Sequence, residues 1–136
     1  MTEEEMFAKY PITFERAKLG PRESCMGRGM ECGPGWYKII DELAAKIENY
    51  NQNLPEGTEP LYAEQIKEKF GGLRFYTSYC HEEIDKLISE AERLSYKICE
   101  QCGDPGTVGG KNWISTMCTP CRTAYDQRLK EGGYDD

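Results

Sequence analysis

Residues 62–78 read YAEQIKEKFGGLRFYTS, and the fold turns on how this stretch is read. Apolar and polar residues alternate on both sides of Gly71-Gly72, which is the period of a strand and not of a helix. A two-residue hairpin turn of the primed type needs positive φ at both central positions, and a glycine pair supplies it. The expected hairpin therefore turns at Gly71-Gly72 and sets Phe70 opposite Leu73, Lys69 opposite Arg74 and Glu68 opposite Phe75. Ile66, Phe70, Leu73 and Phe75 then share one face, and Lys67, Lys69, Arg74 and Tyr76 share the other. Glu68 falls on the apolar face, either as an edge residue or as the ion-pair partner of an arginine such as Arg22 or Arg28.

On both sides of the hairpin the period becomes helical. Upstream, Ile39, Ile40, Leu43, Ala44, Ile47 and Tyr50 recur at three- and four-residue spacing, so a helix is expected over Trp36–Tyr50, with Pro34 suited to its first turn. Downstream, Ile84, Leu87, Ile88, Ala91, Leu94 and Ile98 form a second stripe, and Glu82 and Glu83 stand in the first turn, where the helix dipole favours acids. A shorter helical pattern around Met6, Phe7 and Tyr10 breaks at Pro11, and the Gly/Pro-rich stretch at 21–36 reads as an ordered loop. A two-stranded hairpin is marginal alone in water, so both long helices must cover it. The expected fold is α+β, a small antiparallel hairpin covered by two helices over residues 1–98.

The second long helix runs into CEQCGDPGTVGGKNWISTMCTPC, residues 99–121. Two Cys-x2-Cys pairs fifteen residues apart match the spacing of a structural zinc site, in which four thiolates complete a tetrahedron. Gly103 suits the turn after the first pair, Gly106, Gly109 and Gly110 suit a small hairpin, and Thr119-Pro120 suit a helix start at the second pair. Trp113 and Ile114 are expected to pack on this module. Residues 99–136 thus read as a treble-clef or zinc-ribbon module holding one structural Zn2+ at Cys99, Cys102, Cys118 and Cys121, with a C-terminal helix and a frayed tail, EGGYDD. Four thiolates leave no open coordination position, so the metal is scaffold rather than reagent.

Charge narrows the partners. The chain carries 17 Lys and Arg against 24 Asp and Glu, a net charge of −7, with −5 on residues 1–98 and −2 on 99–136. Neither half is a cationic surface, which disfavours nucleic acid, since such binding draws its affinity from neutralised phosphates. The C-terminal helix sets Arg122, Arg128 and Lys130 against Asp126 and Glu131, unlike a basic recognition helix. Seven cysteines, an acidic N-terminus and no apolar run of membrane-spanning length lead to the expectation of an unexported, soluble protein in a reducing compartment, with no membrane partner.

Fewer residues carry chemistry elsewhere. Cys25, Cys32, Cys80 and the single histidine, His81, are either a second metal site or small buried side chains, and their spacing fits no template. The glycine-rich CMGRGMECGPGW, 25–36, lacks the lysine and hydroxyl of a phosphate loop. The Lys67, Lys69, Arg74 and Tyr76 face is either a solvated sheet face or a binding site for an anion or a partner's carboxylates. No Ser/His/Asp arrangement is present, and no enzymatic activity is expected.

FAKYP near the start, ECGPGWYKIIDEL at 31–43, IKEKFGGLRFY at 66–76, CEQCGDPG at 99–106 and CTPC at 118–121 extend over most of the chain. In these pieces it resembles a family of small bacteriophage- and prophage-encoded proteins of unassigned function. The resemblance implies phage origin and a setting in the host cytoplasm, and carries over no catalytic residue. The expected function is a non-enzymatic, zinc-containing protein that binds a host protein and blunts a defence or regulatory system. The alternative is a nucleic-acid or nucleotide-phosphate binder using the basic hairpin face.

Overall fold

The computed structural model describes residues 1–110 and 112–132; the EGGYDD tail lies outside the described residues from 133 onward. Helix α1 (Glu3–Lys9) starts on a capping box in which the Thr2 hydroxyl accepts from the Glu5 N–H and the Glu5 carboxylate accepts from the Thr2 N–H. Helix α2 spans Tyr37–Gln52 behind a 3-10 turn at Pro34–Trp36, and α3 spans Glu82–Ser95. Strands β1 (Ala63–Lys69) and β2 (Gly72–Thr77) form the antiparallel hairpin between them. A second small antiparallel sheet, β3 (Thr107–Gly109) with β4 (Ser115–Met117), and helix α4 (Thr119–Glu131) complete a mixed α+β chain.

The hairpin turns one residue earlier than the glycine pair suggests. Lys69 pairs with Gly72, Glu68 with Leu73, Lys67 with Arg74 and Ile66 with Phe75, which leaves Phe70 and Gly71 as the turn, at φ +54° and +86°. Two positive φ values are the signature of a primed turn. Gly72 is glycine for another reason: a Cβ there would stand 2.3 Å from the Tyr96 ring, so the residue yields space to the end of α3. Every cross-strand partner changes, but the parity of the pairing does not, so the strand residues keep their faces and only Phe70, now in the turn, leaves its own. Ile66, Leu73 and Phe75 are buried, whereas Phe70 leaves the core and is 67% exposed at the tip.

Glu68, on an edge strand, does not take an arginine partner among the described residues. Its carboxylate accepts the Gly71 N–H at 2.7 Å and so holds the turn, and among the described residues it forms no ion pair with Arg22 or Arg28. Both sheet edges are covered. Along β2 the Leu73 N–H donates to the Ser95 hydroxyl and the Phe75 N–H to the Glu92 carboxylate; along β1, Glu31 bridges Ile66 and Glu68. Capped edges remove the free ladder groups through which hairpins aggregate.

One hydrophobic cluster joins α1, α2, α3 and the core face of the hairpin around Met6, Phe14, Trp36, Ile40, Ile47 and Leu73. A buried polar network fastens the N-terminal segment and the loop before β1 to α2. Glu48 accepts from the Thr13 N–H and hydroxyl, both at 2.9 Å, and from the Ile12 N–H at 3.3 Å. Asn51 exchanges hydrogen bonds with both backbone groups of Leu61, at 2.8 and 2.9 Å. Buried polar side chains are tolerated only when satisfied in this way. Among the described residues no helix is long and apolar enough to cross a membrane.

Candidate metal centre

The first Cys pair sits on a tight turn beyond α3, which ends at Ser95 instead of running into Cys99 as its apolar stripe suggests, with Ile98 already bridged to Pro105. The Gly103 N–H donates to the Cys99 carbonyl at 2.9 Å with Gly103 at φ +86°, and the Cys99 N–H donates to the Asp104 carbonyl at 2.7 Å. The second pair straddles the start of α4, with Cys118 in the capping position and Cys121 in the first turn after Pro120. Strands β3 and β4 lie between the pairs and return the chain to the first sulfur. Arg122 clamps the arrangement from α4: its guanidinium donates to the carbonyls of Ser115 at 3.0 Å and Thr107 at 3.2 Å.

This folding brings Cys99, Cys102, Cys118 and Cys121 together, with all four Sγ atoms within 4.8 Å of one another. Cys102 Sγ and Cys118 Sγ are 3.6 Å apart. A disulfide needs about 2.05 Å. A tetrahedron with bonds of about 2.3 Å from a zinc ion to sulfur has an edge of roughly 3.8 Å, so the spacing is that of ligands around a shared ion. Cys99 is fully buried and Cys102 is exposed, so the site closes on the protein side and opens to solvent on the other.

Electrostatics in the cysteine cluster are uneven. Burial opposes ionisation of Cys99, but the N–H groups of Cys118, Cys102 and Gln101 outweigh it and hold the thiol down at about 6. Contacts with the thiols of Cys118 and Cys102 push Cys121 up to about 12. A divalent cation held by the four sulfurs would stabilise the thiolate form of each.

The metal module is docked onto the main body through the loop before α2. The Gly35 N–H donates to the Glu100 carbonyl at 2.7 Å, the Gly33 N–H to the Glu100 carboxylate at 2.9 Å, and the Trp36 indole N–H to the Ile98 carbonyl at 2.9 Å. A Cβ on Gly35 would lie 2.1 Å from the Cys99 carbonyl oxygen, so only glycine permits the approach. On the far side, the Thr116 hydroxyl donates to the Gly71 carbonyl at the hairpin tip at 2.6 Å. GPGW, at the end of the stretch read as an ordered loop, is thus also the seat of the first Cys pair.

The other sequence-derived candidates fall differently. Lys67, Lys69, Arg74 and Tyr76 do share the hairpin face turned from the core, but Arg74 stands opposite Lys67, and its guanidinium donates to the Tyr96 hydroxyl at 3.0 Å. Among the described residues none of the three cations has a carboxylate within 4.0 Å. Trp113 and Ile114 do not pack down on the module; they are 63% and 43% exposed. Cys25, Cys32, Cys80 and His81 are not brought together, and among the described residues the C-terminal four are the one group of such side chains placed so that they could hold a metal ion. His81 instead caps α3, its Nδ1 accepting from the Ile84 N–H, with its ring edge-on to Tyr50 at 4.6 Å. Cys32 packs against the core, where burial, then the charges of Glu100, Glu3 and Glu68, push its thiol up to about 12.

No family model, curated protein or solved structure matches the chain.

Proposed function

We propose that the chain is a non-enzymatic, phage-encoded binding protein whose C-terminal module is a treble clef organised by one Zn2+, and that it acts in the host cytoplasm by binding a host protein of a defence or regulatory system. The observation that carries the metal reading is the convergence of the four Sγ atoms within 4.8 Å. Thiolate-only ligation selects zinc among the common divalent ions, and a complete shell gives it an architectural role. Turn, hairpin and ligand-bearing helix start follow in the treble-clef order. The host target is supported by the net charge of −7 and by the phage resemblance of the motifs.

Two measurements test the proposal. Elemental analysis with X-ray absorption of the purified protein gives one zinc per chain in an all-sulfur shell; a metal-free protein with disulfides refutes it. Affinity capture from host lysate, repeated after chelation, retains a host protein only on the zinc-loaded form. The three cations without carboxylate partners support the second reading, nucleic-acid or nucleotide-phosphate binding, and retention on heparin at moderate salt would establish that reading instead.

A further inference from the structure

The hairpin tip and the β3–β4 loop face each other across a groove of about 360 Å3, lined by Glu68, Lys69, Phe70, Asn112, Trp113 and Ile114. One wall belongs to the main body and the other to the metal module, and the Thr116–Gly71 hydrogen bond pins the two together beside it. Three of the lining residues, Phe70, Trp113 and Ile114, are apolar side chains left in water, at 67%, 63% and 43% exposure. Contiguous aromatic exposure of this kind marks interaction sites, and Trp is the residue most enriched among side chains that dominate binding energy.

Charge identifies the occupant. Lys69 lines the groove with its ammonium 5.7 Å from the Phe70 ring, and it continues onto the face that carries Lys67 and Arg74. Among the described residues none of these cations has a carboxylate within 4.0 Å, although the charge of Glu92 acts on Arg74, in a chain with seven more acids than bases. The one carboxylate in the lining, Glu68, is already engaged by the Gly71 N–H. An excess of acid everywhere else repels a polyanion such as single-stranded nucleic acid, whereas a short segment reaches only the local cations.

We propose that this groove binds an acidic segment of a partner protein, seating one apolar side chain between Phe70 and Trp113 while flanking carboxylates meet Lys69, Lys67 and Arg74. The proposal rests on the protein-binding reading above and names its surface. Because the metal module supplies one wall, the surface exists only in the zinc-loaded protein.

The test uses the full zinc-loaded chain against a displayed library of random dodecapeptides, with counter-selection on a Phe70→Ala/Trp113→Ala variant. Enriched peptides are expected to carry Asp or Glu beside Trp, Phe, Leu or Ile. The best of them, measured by fluorescence anisotropy, should lose about 30-fold in affinity with Trp113→Ala and about 10-fold with Lys69→Glu. Zinc content is unchanged in both, since each side chain projects into solvent. No enrichment over the double variant, peptides without acidic bias, indifference to Trp113→Ala, or tighter binding of oligo(dT) than of the peptide would each overturn the assignment. Failure of this surface is separable from failure of the wider reading. A host protein captured equally by wild type and by the double variant rejects the groove and leaves protein binding standing, whereas capture of nothing by wild type rejects protein binding itself.

Discussion

Replacing Gly35 by alanine tests the docking of the metal module at a single methyl group. The added Cβ would stand 2.1 Å from the Cys99 carbonyl oxygen and 2.6 Å from the Glu100 carbonyl, both backbone atoms that no rotamer change can move. Relief requires the module to withdraw, which breaks the hydrogen bonds Gly35–Glu100, Gly33–Glu100 and Trp36–Ile98. At a net value of about 1 kcal/mol each, and more where a buried partner stays unsatisfied, the loss is about 3 kcal/mol. Reduced freedom of the unfolded chain returns at most about 1 kcal/mol. The expected net cost is about 2–3 kcal/mol, a large part of a typical stability. Urea unfolding followed by tryptophan fluorescence reads it directly, because Trp36 is fully buried at the dock while Trp113 is already exposed. Gly20→Ala is the control, since nothing lies within 4 Å of a Cβ there. A midpoint for Gly35→Ala equal to that of Gly20→Ala would refute the argument that close backbone approach requires this glycine.

Substituting Cys102→Ser, at the exposed ligand, is expected to abolish zinc retention and amide-exchange protection over β3, β4 and α4, while Ile40, Ile47 and Ile66 stay protected, because the hydrophobic cluster that holds those three contains no residue beyond Ile98. Glu48→Gln should cost about 2–3 kcal/mol by orphaning one of its donors, whereas Glu42→Ala, on the exposed side of α2, should stay within about 0.5 kcal/mol of wild type; urea midpoints check both. Cys32 should resist a thiol reagent at neutral pH that modifies the exposed Cys80 at once, as mass spectrometry of the labelled peptides will show. Its folded value of about 12 lies above the ordinary 9, so the neutral thiol contributes stability in full below about pH 9 and loses it as pH rises from there toward 12. Wild type should therefore lose stability between pH 9 and 11 more steeply than Cys32→Ala; parallel decline would contradict the buried neutral thiol.

The residues by themselves determined what repeats along the chain. The stripes Ile39–Ile47 and Ile84–Leu94 are helical because a three- and four-residue period places them on one side, and they mark α2 and α3 to within two or three residues, although Ile98, read as the end of the second stripe, lies past α3 in a bridge to Pro105. Alternation likewise set the two faces of the hairpin, and those faces survived a displaced turn because pairing parity was kept. The four-cysteine cluster was legible too, since the spacing within each Cys pair reflects a local turn. Only the tertiary structure decided which glycine turns the hairpin and which makes room for Tyr96, where the carboxylate of Glu68 goes, why Gly35 carries no side chain, and that Trp113 and Phe70 stand in water facing each other. Each of these depends on the distance between segments remote in sequence, and such an approach leaves no period in the residues that make it.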